Sequence, residues 1–372
     1  MAGNARFYRP ELDALRFLAF FLVFLRHTGS SISDEMTSEG GVTALIANAS
    51  TAGSYGVDLF FLLSAYLITE LLMREKALTG SVNVTSFYAR RILRIWPLYF
   101  TFILATLALS KFTPVQFPQG AVIPMLLFYG NWYLMTHNFF SPAGVLWSVS
   151  IEEQFYVLCP FVVRSFSRHG LLLVAVFLII VANITRVSLL LTGTKNPAIL
   201  WYCTVTRLDP IAIGIAVCLI LHGRMPIIPP LLRGVLVISG LTCFYAAATV
   251  FQGLGDLTPV RGGLAYPIAD LGALAVFLGF LGAKITWQPL VYLGQISYGL
   301  YVYHLLALDL AKVGILHFMG ECPFWLRGAV ALPITIMLAA ISYAWLEQPF
   351  LRLKGTTSRS GPSAPAVPSE TR

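Results

Sequence analysis

The sequence predicts an all-α, polytopic transmembrane helical bundle of about ten spans, with both termini cytoplasmic, and three observations carry that expectation. The chain is 57% hydrophobic and 11% charged, with a mean hydropathy of +0.76, whereas soluble domains carry roughly 25% charged residues. Its apolar residues gather in runs of about 20, the length that crosses a bilayer. Its lysines and arginines fall in the short connections between those runs, mostly on one side. The net charge of +8 therefore reads as a topology signal. The bilayer is the expected partner, and nucleic acid is not.

Ten runs qualify in order: 12–30, 51–73, 92–110, 146–166, 170–192, 202–222, 231–251, 263–283, 289–312 and 325–347. The first has no small-residue cleavage site after it and reads as a retained helix, not a signal peptide. A further run, 121–136, is interrupted by Pro124, Gly130 and Asn131 and is too short for a span. With the N-terminus in the cytoplasm, sixteen basic residues fall inside or at the inner edge and five outside. Counting 121–136 as a span would abolish that asymmetry. Orientation and charge bias together place the chain in an inner, cytoplasmic-type membrane. Residues 8–354 form one membrane domain in this reading, and 355–372, rich in Ser, Pro and Thr, form a disordered cytoplasmic tail. The five cysteines show neither a C-x-x-C pair nor metal-ligand spacing, so no metal is expected. Oligomeric state is not encoded in any of these features.

The polar residues inside the runs carry the chemistry. Arg16 and His27 stand eleven residues apart, about 20° past three full helical turns, so they share one face roughly 16 Å apart along the axis. Snorkelling accounts for a basic residue at a helix end, but not for Arg16 and His27 together. The second span places Asp58 just below the outer surface. The fourth places Ser148 and Glu152 on one face at i,i+4, and the sixth brings Arg207 and Asp209 to the same layer. Any one of these pairs reads plainly as interhelical glue, and Arg207 with Asp209 fits that description best. As a set, a histidine level with carboxylates is a general-base arrangement lining an internal cavity. Glu152 or Asp58 would orient His27, and the sequence leaves open which.

A second cluster lies at the cytoplasmic mouth of the third span. "FYARRILRIW" places Arg91 and Arg94 one turn apart. The positive-inside rule explains them equally well, but guanidinium forks also match phosphate oxygens. Arg16 would then help to hold a polyanionic donor. His304, in "ISYGLYVYHLL", reads as either a packed histidine or a weak cavity residue. Glu347 sits at the inner edge of the last span, within reach of Arg352 or the basic mouth. No P-loop, G-x-S-x-G, H-E-x-x-H or internal repeat is present.

Seven segments in order resemble the acyltransferase 3 family of integral membrane acyltransferases. They are "LDALRFLAFFLVFLRH" with its R-x10-H, "GVDLFFLLSAYLIT", "FYARRILRIWPLYF" with R-x-x-R, "WSVSIEEQFY", "TRLDPIAIG", "LGQISYGLYVYH" and "WLEQPFLRL". One departure is Ala65, where many relatives carry glycine, and it is expected to alter a helix contact rather than chemistry. Some members append an SGNH-like domain that is not seen here, which suggests that the membrane domain completes transfer. The resemblance implies movement of an acyl group, often acetyl, from cytoplasmic acyl-CoA to a hydroxyl. The acceptor would be a surface glycan, its lipid-linked precursor or a small secreted molecule. Arg16 and His27 match the motif residues treated as functional in that family. His27 is thus the expected base and Arg16, Arg91 and Arg94 the expected donor clamp. Intramembrane His and carboxylates also suit a proton-coupled transporter. The missing inverted repeat and the one-sided arginine cluster argue against that rival. A non-catalytic assembly scaffold is the third reading, and acyl-CoA turnover would separate it from the first.

Overall fold

The computed structural model describes residues 8–29, 41–112, 117–137, 141–194, 196–252 and 258–357. Among them the chain is helical, without a strand. Lys195 and residues 358–372 of the expected tail lie outside the described residues.

Helix α1 (Pro10–Gly29) begins on a proline, carries Glu11 and Asp13 in its first turn, and ends on Arg26 and His27. That arrangement of charge complements the helix dipole. A short α2 (Gly41–Ala52) turns into α3 (Gly56–Thr79), which stops at Gly80 in the left-handed region (φ 77°). Helix α4 (Val84–Leu109) is capped by Asn83, whose side chain accepts from the Ser86 N–H.

The interrupted run that follows does not cross the bundle. It folds as two five-residue helices, α5 (Val122–Leu126) and α6 (Gly130–Leu134), broken at Phe128 with φ 54°. Asn131 fixes the fold-back. It is fully buried, donates to the Tyr202 carbonyl and Thr204 Oγ1 at 2.9 Å each, and accepts from Gln154 Nε2 at 3.0 Å.

Next come α7 (Trp147–Ser165), α8 (Arg168–Leu191), the short α9 (Pro197–Tyr202) and α10 (Leu208–Leu221). The run 202–222, expected as one span, is therefore only partly helical. Pro210 lacks an N–H and its ring would clash with a helical carbonyl four residues back, so the helix begins within three residues of it. A hairpin of α11 (Pro230–Ala246) and α12 (Pro259–Phe280) follows. The expected span 289–312 is broken at Ile296 into α13 (Gln288–Gln295) and α14 (Ser297–Met319). Helix α15 (Phe324–Ser342) passes through a wide turn into α16 (Gln348–Thr357), so helix continues three residues into the stretch expected to be disordered.

Seven of these helical stretches are long and apolar enough to cross a membrane, fewer than the ten runs of the sequence. The runs that fall short are informative. Helix α1 carries Glu11, Asp13, Arg16 and Arg26, α7 carries Glu152, Glu153 and Arg164, and α10 has only 14 residues. Helices α1 and α7 fall short because of the charges that make them interesting.

Close backbone approach sets the centre of the bundle. A Cβ on Gly294 of α13 would lie 1.9 Å from the Asp13 carbonyl oxygen of α1, and one on Gly214 of α10 would lie 2.3 Å from that of Leu62 in α3. Only glycine fits either position. Ala65 is fully buried at the same α3–α10 crossing, its methyl group against Gly214, so the departure from the resembled pattern is a helix contact.

Candidate active site

A cavity of about 580 Å³ opens between α1, α3, α4, α7 and α14, within the usual range for a small-molecule site. Its polar lining is built by helical repeat. Ser148, Glu152 and Tyr156 recur every fourth residue on one face of α7, Arg91 and Arg94 stand one turn apart on α4, and Asp13 and Arg16 do so on α1. Tyr8, Gln295, Tyr343 and Glu347 belong to the same lining at the end of the bundle where the chain begins. The sequence-derived donor group of Arg16, Arg91 and Arg94 is thus gathered in one place, together with Ser148 and Glu152.

The arginines are not equivalent. Arg16 is bound to Asp13 by an ion pair of 2.8 Å. Arg91 Nε is buried without a hydrogen-bond partner, and its guanidinium lies about 6 Å from the ring centres of Phe87 and Tyr156. No ion pair joins Arg91 or Arg94 to a carboxylate of the described residues. Two guanidinium groups therefore face the cavity with donors to spare. Glu152 lies beside Ser64, Tyr156 and Arg16, and Ser64 is hydrogen-bonded to Tyr156. Its neighbour Glu153 turns away, accepts from Trp96 Nε1 at 3.2 Å and does not line the cavity. Glu347 takes part in the lining and accepts from Ser342 at 3.5 Å, so its place is the basic mouth rather than Arg352.

Phe60, Ser148 and Tyr301 also line the cavity. The Tyr301 hydroxyl is bonded to Ser148 Oγ at 2.8 Å and to the Val145 carbonyl at 3.0 Å, and its ring meets Phe60 edge-on. The Tyr301 carbonyl lies 2.6 Å from His304 Nδ1, and His304 Nε2 lies 3.1 Å from His27 Nδ1. The same nitrogen of His27 is 2.9 Å from the Val23 carbonyl. His27 is not part of the cavity lining. Tyr301 connects the two, lining the cavity with its side chain and meeting the histidine pair through its carbonyl.

A family model described as an acyltransferase domain matches residues 9–344. The chain belongs to this acyltransferase family. Among its curated relatives are the peptidoglycan O-acetyltransferase OatA of Listeria monocytogenes serovar 1/2a, 27% identical over 371 residues, and the O-acetyltransferase OatA of Staphylococcus aureus strain NCTC 8325, 27% identical over 372 residues. The alignments cover 93% and 94% of this chain but 56% and 58% of the relatives. The chain thus spans a little over half the length of the curated proteins it matches. No solved structure matches it.

Against the sequence reading, the arrangement in this acyltransferase-family chain requires three corrections. Arg207 and Asp209 are not each other's partner. Arg207 Nη2 donates to Asp58 Oδ1 at 2.7 Å, and Asp209 pairs with Arg186. Neither pair lines the cavity: Asp58, Arg186, Arg207 and Asp209 are all at most 2% exposed. Arg207 stacks over Trp201 at 4.4 Å and Arg186 over Tyr266 at 4.5 Å, with Asp270 beside Asp209. Finally, the group found against His27 Nδ1 is His304 rather than Asp58 or Glu152, since Asp58 is bound by Arg207 and Glu152 lies in the cavity beside Arg16.

Arg186 and Asp270 are the residues the sequence reading passed over. The signal was available, because each is a lone charge inside an apolar run. Tyr156, Ser64 and Tyr301 gave no comparable signal. Hydroxyls inside apolar helices are common, and only the packing singles these out.

Proposed function

We propose that this chain is a membrane O-acyltransferase that crosses the bilayer ten times with both termini cytoplasmic, and that moves an acetyl group from cytoplasmic acetyl-CoA to a hydroxyl of a cell-wall or surface glycan. The observation that carries the reading is the cavity in which Arg91 and Arg94 face inward without a carboxylate partner among the described residues. Diphosphate oxygens satisfy such donors, and a thioester arm then extends towards Ser148 and Tyr301. Arg16, already bound to Asp13, holds the wall against which the phosphates rest.

His27 acts as the general base. It takes the acceptor hydroxyl's proton as the oxygen attacks the thioester carbonyl, the carbon–sulfur bond breaks, and the thiolate takes the proton back from the imidazolium. The products are the ester and free CoA. Base, nucleophile and activated acyl group are brought together in a site shielded from water, where proximity and preorganised donors lower the barrier most. The names of the relatives favour a glycan acceptor of the peptidoglycan type.

The test is transfer of radiolabelled acetyl from acetyl-CoA to glycan fragments by purified protein in proteoliposomes. The expected result is acetyl-ester formation that requires both donor and acceptor. Ester formation unchanged when acetyl-CoA is omitted, or none with any hydroxyl acceptor, would exclude the reading.

A further inference from the structure

We infer that Tyr301 is the residue that limits the transferred acyl group to a short one: held across the far end of the cavity with Ser148 and Phe60, it is the wall against which the acyl chain ends. The inference rests on the reading of the cavity as the acyl-CoA site, and it follows from where the lining stops.

Leu71 and Phe60 of α3 both line the cavity and stand eleven residues apart, so it runs roughly 16 Å along that helix. From the mouth at Tyr8 and Gln295, the lining reaches Arg16 on α1, Phe60 on α3, Ser148 on α7 and Tyr301 on α14, and stops there. One turn further on, Phe20, Val57, Val145 and His304 are buried and line no part of it. A donor clamped at Arg91 and Arg94 therefore presents the tip of its acyl group to the layer of Phe60, Ser148 and Tyr301. That layer adjoins His304, whose Nδ1 lies 2.6 Å from the Tyr301 carbonyl.

The layer is stiff. Tyr301 is only 6% exposed. Its hydroxyl is hydrogen-bonded to Ser148 Oγ at 2.8 Å and to the carbonyl of Val145, in the short turn Pro142–Leu146 before α7, at 3.0 Å. Its ring centre lies 5.6 Å from that of Phe60, edge-on. Swinging the phenol aside would break both hydrogen bonds in a buried setting, where a polar group left unmatched is costly. The layer is thus a wall rather than a flap, and the surface it offers to an acyl tip is chiefly aromatic ring. An acetyl group ends one carbon beyond its carbonyl. Each further methylene must push into the packed layer or draw the carbonyl back from it, while the phosphates stay pinned by the arginines.

Equilibrium binding of CoA, acetyl-CoA and butyryl-CoA to the full-length protein in lipid nanodiscs tests this, in wild type, Tyr301→Leu and Phe60→Ala. Tyr301→Leu removes the ring and its hydroxyl but leaves the backbone carbonyl that meets His304, and Phe60→Ala opens the same layer from α3. Wild type should bind acetyl-CoA about as tightly as CoA, and butyryl-CoA about ten- to a hundredfold more weakly, the scale of forcing extra methylenes into a packed site. Both variants should bind butyryl-CoA nearly as tightly as acetyl-CoA. A merely structural role for Tyr301 would change stability, or all three affinities together, and would not move the ratio of butyryl-CoA to acetyl-CoA affinity. Equal affinity for the two thioesters in wild type would overturn the inference, and so would a wild-type ratio in Tyr301→Leu. If Tyr301→Leu fails to fold, a wild-type ratio in Phe60→Ala overturns it instead. Failure of CoA itself to bind wild type would overturn the donor reading and the inference with it, whereas CoA binding without discrimination of chain length would overturn the inference alone.

Discussion

Among single residues, His27 and the two adjacent glutamates are the sharpest tests. His27→Ala should abolish acetyl transfer while leaving the protein folded and inserted, because its ring is only partly buried near the end of α1. Retention of most wild-type transfer by well-expressed protein would remove His27 from the base role. Glu152→Gln should cost about tenfold or more in turnover, the scale of a lost charged hydrogen bond, and Glu153→Gln should cost little. Only Glu152 faces the cavity, whereas Glu153 serves Trp96, whose indole N–H an amide oxygen can still accept. Turnover per folded molecule separates the two, and equal losses would contradict the placement. Much at this scale was readable in advance. The pairing of Ser148 with Glu152 and the spacing of Arg91 and Arg94 depend only on helical periodicity, which sequence carries directly. The partners of Asp58, Asp209 and His27 were not readable, because each lies on another helix and periodicity says nothing about which faces meet.

Between elements, buried ion pairs knit the helices that surround the site. Asp58 on α3 meets Arg207 just before α10, and Arg186 on α8 meets Asp209 on α10. Removing one member strands a charge in a dry, apolar setting, which costs roughly 3–5 kcal/mol. Arg207→Met should therefore lower the thermal unfolding midpoint in detergent sharply. The double variant Asp58→Asn with Arg207→Met should recover part of the loss, and Arg91→Ala should leave the midpoint near wild type. A stable Arg207→Met protein with impaired donor binding would instead make Arg207 a site residue. Element boundaries overran the sequence reading at Gly80 and Asn83, where helix extends beyond the expected runs 51–73 and 92–110 as far as those caps. They departed from it at Pro210 and Ile296, where a continuous apolar run conceals a backbone break. Hydropathy sums side chains and is blind to a missing N–H.

For the whole molecule, the charged helices α1 and α7 fail a simple test for membrane spans because they carry the polar wall of the cavity. Of their charges, Asp13, Arg16 and Glu152 face the cavity rather than lipid. The order of the family-like segments made the bundle and the gathering of Arg16, Arg91 and Arg94 foreseeable. The separation of the sealed Asp58–Arg207 cluster from the cavity was not foreseeable, since both occupy similar stretches of apolar helix. If the cavity is the donor site and His27 the chemistry beyond it, donor binding and transfer are separable by mutation. Equilibrium binding of CoA to purified wild type, Arg91→Ala and His27→Ala in lipid nanodiscs measures this directly. Arg91→Ala should bind CoA about ten- to a hundredfold more weakly, from loss of a charged phosphate contact, while His27→Ala should bind as wild type does yet transfer nothing. Equal CoA affinity in wild type and Arg91→Ala, or loss of CoA binding in His27→Ala alone, would contradict it.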